Sequence, residues 1–118
     1  MGASNRTYAG ACHCGAVRFS IKTDLSYSVR CDCSMCRRRG TVMVRCDAAD
    51  LTVISGRDLV REYRFGTGVA VHHFCGRCGV STFHRMRKLP DKYAVNACCL
   101  DGVDGSALHP FLIDGSKT

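Results

Sequence analysis

Apolar and polar positions alternate in short runs along this chain, and no stretch keeps an apolar period of about 3.6 residues for three turns. The runs predict strands over residues 16–22, 41–46, 51–55, 60–65, 69–74, 80–85, 93–98 and 108–113, each rich in β-branched or aromatic residues. They recur about every 8–12 residues with turn residues between them, the rhythm of an all-β architecture. A short helical turn is expected after Cys33, where Ser34-Met35-Cys36-Arg37-Arg38 meets no breaker before Gly40. Twelve glycines punctuate the segments, prolines stand only at Pro90 and Pro110, and there is no linker, low-complexity tract or solenoid repeat. A chain of 118 residues is therefore expected to form one domain, 1–118, without room for two independent cores.

Composition changes this picture through one residue type. Ten cysteines would suggest a disulfide framework in a short secreted chain. The opening MGASNRTYAGACHCG, however, lacks the continuous apolar core of a secretory signal. Its MGASNR start puts Arg6 where a myristoylation signal wants Ser or Thr. No apolar run approaches the roughly 20 residues of a membrane-spanning helix. The chain is read as soluble and cytoplasmic, with no membrane partner, and its cysteines as metal thiolates. The formal charge of +7 then overstates the basicity, because seven thiolates holding two Zn²⁺ would bring it to about +4. Nucleic acid is correspondingly a poor candidate partner, and scarce aromatics with no Trp make weak stacking platforms.

Two cysteine pairs read as the halves of one structural zinc site. Cys12-His13-Cys14-Gly15 opens the domain, and Cys75-Gly76-Arg77-Cys78-Gly79 lies about sixty residues later. A CxxC followed by Gly forms a tight turn in which both thiolates face one ion and backbone N–H groups are free to bond the sulfurs. Four cysteines with no water position make a closed tetrahedral site, which would tie an early strand to a late one. The bland alternative leaves Cys12 and Cys14 as buried apolar thiols.

Cys31-Asp32-Cys33-Ser34-Met35-Cys36 offers three thiolates within six residues and no obvious fourth ligand beside them. Three protein ligands with one open position are the arrangement of a catalytic zinc, and a thiolate-rich open site suits a soft ligand such as a substrate thiol. A fourth ligand from Cys46, His72, His73 or His84 would instead close the site and make it structural. Arg37-Arg38-Arg39-Gly40 follows directly. Arginine forks match carboxylates, so this run, Arg38 and Arg39 in particular, is a candidate for steering an anionic thiol toward the metal. The alternative is a solvated basic turn. Cys98 and Cys99 stand together at the end of a predicted strand, so their side chains diverge, and Cys46 reads as core. His73 and His84 lie on the strands around the late cysteine pair, where either could donate a proton near a metal-bound substrate or simply pack as a hydrogen-bonded imidazole.

In this order the motifs resemble the glutathione-dependent formaldehyde-activating enzymes, a family whose domain is also found in centromere protein V. The matching residues are Cys12-His13-Cys14-Gly15, Cys31 through Gly40 with its CxCSxCRRxG pattern, and Phe74 through Gly79. Asn96 and Cys99-Leu100-Asp101-Gly102 resemble the family's C-terminal segment. The resemblance implies a small β-tent of twisted antiparallel sheets stapled by zinc. It implies Cys12, Cys14, Cys75 and Cys78 as structural zinc ligands and Cys31, Cys33 and Cys36 as ligands of a catalytic zinc. The implied reaction is the addition of the glutathione thiol to formaldehyde, giving S-(hydroxymethyl)glutathione, or its reverse.

The leading function is accordingly a zinc-dependent carbon–sulfur lyase acting on small thiol adducts, with glutathione and an aldehyde as partners. The competing class is a non-catalytic, zinc-stabilised binding module that contacts nucleic acid or a protein through its arginines, which outnumber lysines 13 to 4. A thiol redox or metal-storage role for Cys46, Cys98 and Cys99 ranks last, because no pair of them has CxxC spacing.

Overall fold

The computed structural model describes residues 6–113; residues 1–5, most of the MGASNR opening, and residues 114–118 lie outside the described residues. One sheet joins β1 (Arg6–Ala11), β2 (Arg18–Thr23) and β5 (Leu51–Ser55) in the order β1-β2-β5. The larger sheet is built from β3 (Ser28–Cys31), β4 (Met43–Asp47), β6 (Val60–Tyr63), β7 (Val71–Cys75), β8 (Ser81–Arg85), β9 (Lys92–Asn96) and β10 (Phe111–Ile113). Its order is β10-β3-β4-β9-β8-β7-β6. The one α-helix among the described residues, α1 (Ser34–Arg39), is short and follows β3 where the sequence predicts a helical turn. No helix among the described residues is long and apolar enough to cross a membrane.

The architecture is all-β as expected, with three departures. Strands β1 and β3 are not among the predicted runs. β1 carries little apolar surface beyond Tyr8, and β3 has only four residues, buried at neighbouring positions Ser28 and Val29 rather than alternately. The predicted strand over 93–98 stops at Asn96, whose side chain accepts the Cys98 N–H at 3.0 Å and caps a 3-10 turn over Ala97–Cys99. The sheets are not antiparallel throughout, since β10 lies parallel to β3.

Two-residue periodicity decides what each face of the large sheet does. Val44, Cys46, Phe83 and Val95 point toward the small sheet and share a core with Phe19, Ile21, Ala97, Cys99 and Leu100. Phe19 and Phe83 meet edge to face at 5.5 Å across that core. Met43 and Ala94, one residue out of phase, pack with Val29 and Cys36 on the other side. Pairing of His72 with His84, and of His84 with Ala94, lines those side chains up across this second face. The second face carries the site described below.

Gly10 lets β1 lie against the core: a Cβ there would sit 2.6 Å from the Phe19 ring and 3.2 Å from the Cys99 carbonyl. Phe19 is fully buried and has little room to yield. Gly10→Ala is therefore expected to cost about 1–3 kcal/mol through overpacking. The check is a lower urea midpoint at fixed metal content with an unchanged denaturant slope.

Candidate metal centres

Cys12, Cys14, Cys75 and Cys78 bring their four sulfurs within 4.8 Å of one another. Each pair sits in a turn that aims backbone N–H groups at sulfur. Val17 N–H donates to Cys12 Sγ at 3.3 Å, and the Gly15 N–H closes the turn onto the Cys12 carbonyl at 3.1 Å. In the β7–β8 hairpin, Arg77 and Cys78 N–H groups donate to Cys75 Sγ at 3.3 and 3.4 Å. Gly79, in the left-handed region at φ 82°, donates to the Cys75 carbonyl at 2.8 Å. Such bonds favour thiolates; N–H groups of Cys14 and Val80 hold the Cys78 thiol at about 6. Sulfur separations of 3.6 Å (Cys12–Cys14) and 3.8 Å (Cys14–Cys75) match the edge of about 3.8 Å that tetrahedral zinc–thiolate bonds of about 2.3 Å define. The donor set fits a closed metal site joining the end of β1 to the β7–β8 hairpin, with Val17 and Val80 packed around it.

Cys31, Cys33 and Cys36 form the second group, again with sulfurs within 4.8 Å of one another. Among the described residues no fourth Cys, His, Asp or Glu ligand atom joins them. Cys31 ends β3, while Cys33 is the N-cap of α1, its Sγ accepting the Cys36 N–H at 3.3 Å. Gly40, at φ 70°, ends the helix by donating to the Cys36 carbonyl. Burial works against the Cys33 thiolate, but N–H groups of Cys36 and Met35 outweigh it and lower its pKa. Burial raises the Cys36 thiol strongly, opposed in part by the Arg39 charge. Three soft donors in one small patch suit a thiophilic metal, which would supply the positive charge that Cys36 needs to ionise.

The three-sulfur group opens on a cavity of about 640 Å³ on the second face of the large sheet; none of the four clamp cysteines lines it. Val29, Met43, Ala94, His72 and His84 form part of its wall, and Arg37, Arg45, Arg87 and Lys88 line it with positive charge. The expected roles of Arg38 and Arg39 as cations facing a substrate change here. Arg38 is exposed and donates to the Ser34 carbonyl of its own helix, and neither residue lines the cavity. Arg37 lines it instead, because α1 turns successive side chains by about 100°. Arg39 lies beside Cys36 and donates to Nδ1 of His72 at 2.7 Å and of His84 at 3.4 Å.

His72, not His73, is the partner of His84. His73 points to the opposite face and packs on Phe83, ring centroids 5.1 Å apart. The cause is a β-bulge between His73 and Phe74, which shifts the β7–β8 register by one residue and sets His72 across from His84. Burial, reinforced by the Arg39 charge, depresses His72 to about 4 and His84 to about 3. Cys46 and Cys99 are buried in the core, where burial raises both thiols to about 12. Cys98 is exposed, and none of these three joins a cluster.

A two-sheet β-fold with one closed four-cysteine group and a three-cysteine group open to a cavity is consistent with a class of proteins that hold two metal ions on thiolates. The glutathione-dependent formaldehyde-activating enzyme family profile matches residues 7–112, and the chain belongs to that family. It is 36% identical over 78 residues to a Halomonas elongata protein described as a putative glutathione-dependent formaldehyde-activating enzyme. That match covers 58% of this chain and 50% of the relative's length. A Rhodobacter sphaeroides protein of known crystal structure is 39% identical, with a TM-score of 0.84 over 87% of this chain and 98% of its own.

Two measurements bear on these sites. Cys36→Ser is expected to retain the fold while metal content falls from about two equivalents to about one, whereas Cys78→Ser loses the fold, because closed-site binding energy is folding energy. Metal analysis combined with circular dichroism separates these outcomes, and equal unfolding of both variants contradicts the division. The second measurement concerns acid. His72 and His84 are neutral when folded but ionise near about 6.5 when unfolded, so their contribution is complete above that pH and is lost as pH falls toward 4. At matched metal content, His84→Gln should flatten the decline in urea midpoint over this window.

Proposed function

We propose that the protein is a zinc-dependent carbon–sulfur lyase that makes or breaks the adduct between a small thiol and an aldehyde. S-(hydroxymethyl)glutathione, from glutathione and formaldehyde, is the reference adduct. The observation that carries this reading is the contrast between the two cysteine groups: four sulfurs form a closed set, while three open on a cavity large enough for a small molecule. Family membership and the name of the Halomonas elongata relative support the choice of reaction. Zinc bound by Cys31, Cys33 and Cys36 would hold a substrate sulfur as thiolate near neutral pH and supply Lewis acidity. A reducing compartment such as the cytoplasm is part of the proposal, since the thiolates must stay reduced.

The chain's own residues bind and orient. Arg37, Arg45, Arg87 and Lys88 suit the carboxylates of an anionic thiol. Val29, Met43 and Ala94 form an apolar surface against Cys36, which limits water and strengthens the electrostatics around the reacting sulfur. As the sulfur–carbon bond forms, the carbonyl π pair moves onto oxygen, and one proton completes the hydroxyl; cleavage reverses each event. A cation-lined concave site suits a small anion better than the backbone of a nucleic acid, which favours the lyase over the binding module.

The test is adduct formation and breakdown by the zinc-loaded protein. Arg37→Ala is expected to raise KM for an anionic thiol about tenfold, or about 1.4 kcal/mol, with kcat nearly unchanged. A zinc-loaded protein that accelerates neither direction with glutathione or any other cellular thiol tested would overturn the lyase reading.

A further inference from the structure

Arg39 is a partly buried cation that makes no ion pair with a carboxylate among the described residues. Its Nη2 donates to Nδ1 of His72 at 2.7 Å and lies 3.9 Å from Cys36 Sγ. Its Nη1 reaches Nδ1 of His84 at 3.4 Å and Ser81 Oγ at 3.3 Å, while Nε is buried without a partner. A guanidinium has donors only, so the ring nitrogen it meets must be an acceptor. Nδ1 of both imidazoles is therefore unprotonated, and the single proton of each neutral ring is on Nε2.

The surroundings hold both rings still. His72 and His84 are cross-strand neighbours with centroids 4.8 Å apart, and Phe65 stacks on His72 at 5.7 Å and 17°. All three rings line the cavity that Cys31, Cys33 and Cys36 also line, whereas Arg39 does not. The Nδ1 edges thus face Arg39 behind the wall, and the opposite, Nε2 edges are the ones available to a molecule in the cavity.

We propose that Arg39 is a positioning residue that sets His72 and His84 as paired Nε2–H donors, which hold the oxygen of the aldehyde-derived group. The identity of that oxygen rests on the lyase reading; the tautomers rest on geometry alone. The substrate thiol's proton passes to solvent when its sulfur becomes a thiolate. The sulfur–carbon bond then forms, the carbonyl π pair becomes a lone pair on oxygen, and both Nε2–H groups donate to that oxygen. Solvent returns one proton to give the hydroxyl, and cleavage runs the same events backward. Neither ring gains or loses a proton, because with Nδ1 held by Arg39 the loss of Nε2–H would leave an imidazolate. Donors of this kind act through a preorganised electrostatic field.

Nitrogen NMR of the histidine rings in the zinc-loaded protein tests this directly. His72 and His84 should both show the Nε2–H tautomer and not titrate between about pH 5.5 and 8. In Arg39→Met, at least one ring should acquire Nδ1–H and titrate nearer about 6.5. Arg39→Lys, a single-point donor, should restore one ring at most. Wild-type rings protonated on Nδ1 overturn the inference, as do unchanged tautomers in Arg39→Met; the wild-type spectrum decides even if that variant fails to fold. In the kinetic arm, His72→Phe combined with His84→Phe should lower kcat on the order of 10²-fold with KM for the thiol and zinc content nearly unchanged. Unchanged kcat removes the donor role and leaves the lyase reading standing. An inactive wild type with the expected tautomers overturns the lyase reading together with the oxygen-holding step.

Discussion

Four sulfurs arriving from two turns, one beyond β1 and one between β7 and β8, meet where a bound metal would tie the small sheet to the large one. The shared core alone is modest: Phe19, Ile21, Val44, Phe83, Val95 and Leu100 are joined in its buried centre by Cys46, Ala97 and Cys99, and its other apolar contacts are only partly buried. Small domains bury a limited fraction of their apolar surface, and a structural metal adds folding energy that such a core lacks. The backbone N–H groups directed at Cys12 and Cys75 show the turns already shaped for thiolates. With the hairpin anchored at that end, the rest of the large sheet has a fixed orientation, and its outer face becomes a surface on which a second site can be built.

That second site takes its character from being on a sheet with two useful faces. One set of alternating residues fills the core, and the other set, Met43, Ala94, His84 and His72, is left for chemistry. Proximity to the core's density explains the neutrality of the histidines, since desolvation and the Arg39 charge act in the same direction on both rings. The same burial raises the Cys36 thiol, opposed in part by the Arg39 charge, and a bound cation would favour its ionisation.

Much of this was legible in the residues. The cysteine spacings marked both groups, and the alternating runs marked most strands, because chelation and two-residue periodicity are local properties. β1 and β3 escaped notice because their placement depends on partners: β1 rests on the absence of a side chain at Gly10, and β3 needs β10, from a distant part of the chain, on one side and β4 on the other. The arginine run advertised positive charge near the three-cysteine group but not which residue faces which way; a single residue step of about 100° separates the exposed Arg38 from the partly buried Arg39. The pairing of His72 with His84 was out of reach of pattern alone. In an unbulged β7–β8 hairpin closed by Cys75 and Val80, His72 would oppose Phe83, and only the extra residue on β8, the buried Thr82, corrects it.

The parallel seating of β10 on β3 couples two segments far apart in the chain. Ile113 pairs with Cys31, and its carbonyl accepts the Asp32 N–H at 3.1 Å. The three-cysteine group is thus contiguous in sequence, but the strand that seats Cys31 follows β7 and β8 in the chain. A nascent chain can bring all seven cluster cysteines into the open, and can close the β7–β8 hairpin, well before the strand that seats Cys31 exists. Long-range parallel pairing of this kind forms slowly, so the seating of Cys31 depends on a contact of much higher sequence separation than the β7–β8 hairpin that carries Cys75 and Cys78.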